Sequence, residues 1–168
     1  MTKKKYNTFN SVTQRIAASL PGAWFFARTL HHFDGILLRL SGGRLTMTSL
    51  LSRLPVVVVT TTGAKSRLAR TLPLLCIRDE SDSTAFAIIG TNWGQQHYPA
   101  WYFNLKANPC ATCSIAGETG QYIAHEATGE EYARFWQNAA DTYLGYPLYK
   151  QRIRGRKIPI MVMTPLKP

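Results

Sequence analysis

The sequence predicts an α+β domain: six mostly antiparallel strands closing into a small barrel, flanked by helices and preceded by a helical extension. Three observations carry this reading. β-branched and apolar runs recur between Leu54 and Thr164 with short polar turns between them, the pattern of hairpin-linked strands. Short turns impose antiparallel pairing, because a parallel pair needs a long crossover. Regular strand–helix alternation is absent, which excludes a doubly wound parallel sheet, and six strands closing on themselves make a small barrel.

The elements follow in order. Residues 1–10 read as a basic arm, and 11–20 as one or two helical turns begun by Ser11. Pro21 suits the first turn of a stronger helix, where its missing N–H does no harm. Trp24, Ala27, Leu30, Leu37 and Leu38 give that helix its spacing, and Ser41-Gly42-Gly43 ends it as a C-cap glycine pair does. Strands are expected over 54–62, 70–77, 85–90, 111–115, 121–127 and 158–164. Pro99 opens a short helix through Ala107, which Asn108-Pro109 stops. Gly129-Glu130-Glu131 opens an acidic-first helix to about Tyr143. The domain division is residues 1–45 as a basic, amphipathic helical extension and 46–168 as the split β-barrel domain.

Charge narrows the class. The chain has 168 residues, a net charge of +11 and 45% hydrophobic residues. That length suits one domain with its own core, and that composition excludes wholesale disorder. Residues 1–78 hold 12 Lys/Arg against one acid, Asp34, while the remainder balances. Cys76, Cys110 and Cys113 make no disulfide framework. The lone Cys110-Ala-Thr-Cys113 lacks the further ligands of a zinc site, so no metal is expected. No cleavable signal and no apolar run of spanning length is found. The expected location is cytoplasmic, peripheral on the inner membrane face.

Three segments can carry chemistry. The turn from Thr60 to Arg70 gathers Lys65, Ser66, Arg67 and Arg70 around Gly63 with no acid, a setting for a bound anion. It is not a Walker loop, whose glycine order is missing. The stretch from Gly90 to Asn104 holds two Trp, two Tyr and a Phe among amide and hydroxyl donors, the lining a flat heterocycle needs. Tyr143, Tyr146 and Tyr149 recur at three-residue spacing and share a face if helical. No HExxH, GxSxG or close carboxylate pair is present. His31 and His32 read as packing or surface residues, and His97 has no obvious partner. An anion site with a flat aromatic pocket and no acid–base group fits cofactor chemistry, in which the protein orients and the cofactor reacts.

Over residues 54–165 these blocks, in this order, resemble the deazaflavin-dependent nitroreductase family, a split β-barrel group. The most specific block is Trp101 to Pro109; Thr60 to Ser66 with Arg70, Asn92-Trp93-Gly94, Tyr143 to Tyr149 and Ile158-Pro159-Ile160 accompany it. The resemblance implies coenzyme F-420, whose tail carries a phosphodiester and glutamate carboxylates. It implies that Lys65, Ser66 and Arg70, with Arg67 as an added cation, hold the tail. Pro73 and Leu74 then lie beside the ring, and Thr91, Asn92 and Trp93 surround ring and tail. Ala100, Trp101 and Asn104 belong to the helix start that closes over the cofactor. Tyr143, Tyr146 and Tyr149 face substrate, with Tyr143 and Tyr146 as catalytic candidates. The implied reaction passes hydride to an electron-poor C=C, a quinone or a nitro group. Departures are Arg67 where the family usually has Gly, Ala64 where it often has a basic residue, and Asn92 where some members have Lys.

Two rival readings stand beside this one. The same barrel can use FMN, FAD or heme. Alternatively, the basic first half, with Arg15, Arg28, Arg39 and Arg44 near a Phe-rich helix, can bind an anionic membrane surface without catalysis. The expected partners are a small hydrophobic or aromatic substrate, an anionic membrane and a second copy of the chain. Nucleic acid is not expected, because no DNA or RNA motif is present.

Overall fold

The stretch expected as one strand over 70–77 forms two, so the sheet has seven strands where six were expected. The computed structural model describes Ser19 and residues 54–78 and 84–166. The expected extension over 1–45 and the turn at 79–83 lie outside these apart from Ser19. The elements are β1 (Val56–Thr62), β2 (Ala69–Leu75), β3 (Ile77–Arg78) and β4 (Phe86–Ile89). A 3-10 turn (Asn92–Gly94) and α1 (Ala100–Ala107) follow. Then come β5 (Cys110–Ile115), β6 (Glu118–Glu126), α2 (Gly129–Thr142), α3 (Gly145–Arg152) and β7 (Ile160–Pro165).

The antiparallel order is β2-β1-β5-β6-β7-β4-β3. β2 pairs only with β1 and β3 only with β4, yet Cys76 alone separates them in the chain. The sheet therefore curls until its two edges lie in one continuous run, and the half-barrel shape follows from that connection. Strand regularity breaks where the run changes neighbours: the Cys76 N–H donates to the Pro55 carbonyl at 2.9 Å. Pro73 is tolerated opposite Val58 because β2 is an edge strand, where a missing donor costs no ladder bond.

The β5–β6 connection is tighter than expected. Ala116 (φ 53°) and Gly117 (φ 92°) form a two-residue turn, with Ile115 opposite Glu118. Positive φ at both central residues suits the right-handed twist of a hairpin, so β6 starts three residues earlier than its apolar pattern suggests.

β4 and β7 are buried on both faces, which is why they read as unbroken apolar runs. Phe86, Ile88, Met161 and Met163 join Val57, Val59, Ala111, Cys113 and Ala124 on the concave side, where Trp101 and Leu105 of α1 also pack. Ala87, Ile89, Ile160 and Val162 pack outward against Phe135 and Ala139 of α2 and Tyr146 and Tyr149 of α3. The four-residue spacing of Phe135 and Ala139 puts both on one helix face.

Register places the loops. Thr61 lies opposite Ala111, Cys110 opposite Ile123, Glu126 opposite Met161, and Ile89 opposite Ile160. The end of β1, the start of β5, the end of β6, the start of β7 and the end of β4 thus share one end of the sheet. The β1–β2 hairpin loop and the loop after β4 both leave from that end.

Candidate functional site

The hairpin loop from Gly63 to Leu68 closes on itself. The Gly63 N–H donates to the Leu68 carbonyl at 2.8 Å, and the Arg67 N–H donates to the Gly63 carbonyl at 2.9 Å. A Cβ on Gly63 would sit 2.6 Å from Ser66 Oγ and 3.2 Å from the Leu68 carbonyl oxygen, so a larger residue there would displace the serine and press on the turn. Arg67 has φ 60°, a left-handed conformation that glycine adopts without strain. Lys65, Ser66, Arg67 and Arg70 are exposed, and Arg70 Nη2 lies 3.5 Å from Ser66 Oγ. No carboxylate occurs between Thr60 and Arg78. This donor set fits an anionic ligand with several oxygens.

Asn104 ties this loop to α1. Its buried side chain accepts from the Ala64 N–H at 2.9 Å and donates to Thr61 Oγ1 at 3.0 Å. Of its expected helix neighbours, Trp101 is buried in the concave core and Ala100 is exposed at the helix start. Pro73 and Leu74 are half-buried on β2.

The second loop is strained. Thr91 is buried and right-handed, whereas Asn92 (φ 48°), Trp93 (φ 58°) and Gly94 (φ 81°) all have positive φ. Successive non-glycine residues in this region cost roughly 1–3 kcal/mol each and persist only where their surroundings over-determine them. Asn92 donates to the His97 carbonyl at 3.2 Å. The Trp93 ring stands edge-on to Tyr149, with centroids 6.2 Å apart.

Tyr149 belongs to the tyrosine set, which the structure brings together. The Tyr143 and Tyr149 hydroxyls are 3.2 Å apart, and the Tyr143 ring meets Tyr146 edge-on at 5.5 Å. Tyr143 caps the end of α2, while Tyr146 and Tyr149 lie in α3. All three are buried. Burial pushes each phenol above its usual pKa, and for Tyr149 the neighbouring Tyr143 adds to the rise. They are held as neutral phenols.

Sequence reasoning missed two residues that organise this end. Arg156 donates from Nη1 to the Gly90 carbonyl (3.1 Å), from Nη2 to the carbonyls of Thr91 (3.0 Å) and Gln95 (2.8 Å), and from Nε to Gln95 (3.3 Å). Its guanidinium lies 4.9 Å from the Tyr98 ring centroid, and Tyr98 stacks on Tyr102 of α1 at 5.1 Å. Gln96 donates to the Arg152 carbonyl at 2.7 Å and accepts from the Arg154 N–H at 2.9 Å. For Arg156 the only signal in the sequence was the run Arg154-Gly155-Arg156-Lys157, which reads like any solvated charge cluster; Gln96 lies in the aromatic, amide-rich stretch but was not set apart within it.

Residues 34–165 match the family described as F420H(2)-dependent quinone reductase. An F420H(2)-dependent quinone reductase of Mycobacterium tuberculosis is 34% identical over 118 residues, which span 66% of this chain and 73% of that one. The solved structure of an F420-H2 dependent reductase is 33% identical with a TM-score of 0.58, covering 65% of this chain and 93% of its own. Another, described as a domain-swapped dimer, is 28% identical with a TM-score of 0.61, covering 85% and 98%. The matching family is named for quinone rather than nitro reduction.

Proposed function

As a member of the F420H(2)-dependent quinone reductase family, the chain is a deazaflavin-dependent oxidoreductase, and we propose that the two loops at one end of its sheet hold coenzyme F-420 against a quinone. One observation carries the placement. Strand register brings the cationic hairpin and the aromatic loop to the same end, and Asn104 ties the first to the helix that follows the second.

When bound, the reduced coenzyme supplies the hydride. Lys65 offers a point charge and Arg70 a planar fork to the phosphate and carboxylates of the tail, with Ser66 Oγ and Arg67 beside them. Pro73, Leu74 and Trp93 supply apolar faces for the ring. Tyr143, Tyr146 and Tyr149, buried together in the chain as described, are the residues proposed to meet the quinone and orient its oxygens. With their pKa values raised by burial, these phenols stay neutral and are able to donate hydrogen bonds to the quinone oxygens.

The test is a titration of the purified chain with F-420, FMN, FAD and heme, followed by turnover with a soluble quinone and with a nitroaromatic. Binding of F-420 in preference to the others, with quinone reduction faster than nitro reduction, is expected. A chain that binds FMN or heme but not F-420 would overturn the reading.

The proposal has two further parts. Basic residues 1–45 bind anionic membrane, which flotation with anionic but not zwitterionic vesicles checks. Because one similar structure is a domain-swapped dimer, the chain is proposed to form a homodimer, measurable by light scattering.

A further inference from the structure

We infer that Arg156 is the positioning residue of the ring-binding loop, and that with Gln96 it locks that loop to the segment leading out of the tyrosine helix. The inference rests on the proposed placement of F-420 at this end of the sheet.

Three observations converge on it. First, Asn92, Trp93 and Gly94 form an uninterrupted run of positive φ, a conformation that needs outside support. Second, one guanidinium supplies that support. Its donors reach the carbonyls of Gly90, Thr91 and Gln95, which bracket the run on both sides. The rigid, planar guanidinium reaches these carbonyls from separate nitrogens held at fixed spacing, which the single nitrogen of a flexible lysine does not reproduce. Third, the grip is reciprocal. Arg156, from the α3–β7 connection, holds the backbone of the loop, while Gln96, from the loop, holds the backbone at Arg152 and Arg154. The backbone at Gly94 runs close beside α3: a Cβ there would lie 3.3 Å from Arg152 Cδ and 3.4 Å from the Tyr149 ring. Trp93 and Tyr149 are thereby fixed relative to each other. The Tyr98 ring against the guanidinium, stacked in turn on Tyr102, extends the hold to α1.

The consequence for the reaction is geometric. Hydride transfer needs donor and acceptor atoms within about 3–3.5 Å. The loop beside the ring and the helix facing the quinone must therefore keep one spacing. Arg156 sets that spacing without touching either reactant.

The experiment compares the full-length wild-type chain with Arg156→Lys, Gln96→Ala and Lys65→Ala. Hydrogen exchange is read first, without coenzyme. Arg156→Lys should speed exchange across 90–98 by tenfold or more and leave the 63–70 hairpin unchanged. It should then weaken F-420 binding about tenfold and lower kcat for a soluble quinone more than it changes the quinone KM. Lysine keeps the charge but not the fork, so recovery of wild-type behaviour in Arg156→Lys would overturn the inference. Faster exchange with unchanged F-420 affinity and kcat would also overturn it, leaving a structural role only. Gln96→Ala is expected to show the same pattern more weakly and serves where Arg156→Lys does not fold. Lys65→Ala should weaken F-420 binding without loosening 90–98. If the wild-type chain itself fails to bind F-420, the proposed function falls instead, and that failure is visible before any variant is compared.

Discussion

At the scale of single residues, the hairpin cations and the tyrosines make separable predictions. If Lys65 and Arg70 each make a charged hydrogen bond to the F-420 tail, Lys65→Ala or Arg70→Ala should weaken binding by about 1.5–3 kcal/mol. Titration followed by deazaflavin fluorescence measures this, and unchanged affinity in both removes the anion site. If Tyr146 donates to the quinone as proposed, Tyr146→Phe should lower kcat more than it changes F-420 affinity; steady-state kinetics against direct titration separates the two. Arg67 holds φ 60°, so Arg67→Gly should raise the stability of the coenzyme-free chain by up to about 1 kcal/mol, read from urea unfolding; an unchanged midpoint would show that the turn holds arginine without strain. These residues were legible because cations without acids, and phenols at a regular spacing, stand out in a sequence. The task of Asn104 was not. Its bond to Ala64 joins residues 40 positions apart, and no local pattern announces a side chain whose partner is a distant backbone N–H.

At the scale of elements, chain order and type were readable and boundaries less so. Helix α2 announces itself by Glu130 and Glu131 in its first turn, which complement the helix dipole. The split between β2 and β3 was hidden, because both halves are apolar and periodicity carries no record of which neighbour a strand pairs with. The tight Ala116-Gly117 turn was hidden for a similar reason: Glu118, Thr119 and Gly120 are polar or small and look like loop, yet they pair with Ile115, Ser114 and Cys113. The corner between α2 and α3 yields a prediction of its own. A Cβ on Gly145 would collide with the Tyr143 ring, which is enclosed by Tyr146 and Tyr149 and has little room to move. Gly145→Ala should therefore cost about 1–3 kcal/mol, as overpacking of a filled core does, with a corresponding fall in melting temperature. A neutral outcome would mean that the tyrosine cluster is looser than its ring contacts imply.

At the scale of the whole molecule, buried weak acids set an alkaline limit. Burial pushes the Cys76 thiol up to about 11 and that of Cys113 up to about 12, and it raises Tyr146 and Tyr149 above the usual phenol value. In each case the folded chain keeps a proton that the unfolded chain releases. The stability these groups lend is complete below their unfolded pKa values and lost as pH rises. Urea midpoints should hold between pH 6 and 8 as far as these groups are concerned. They should fall above about pH 9, where the thiols begin to ionise in the unfolded chain, and more steeply past pH 10. The limiting slope is about 1.4 kcal/mol per pH unit for each group. A midpoint unchanged to pH 11 would show that these side chains reach solvent.

The Cys76 joint has one more consequence, for growth beyond the single chain. A sheet edge is a template on which a foreign strand can polymerise. Among the described residues this sheet has two outer edges, and both belong to one run of ten residues, from Ala69 to Arg78. One edge is only two residues long, too short to seed a ladder. The other is interrupted by Pro73, which lacks a donor, and carries the charge of Arg70. Folding the chain's own continuity into the seam thus leaves little template for fibrous aggregation.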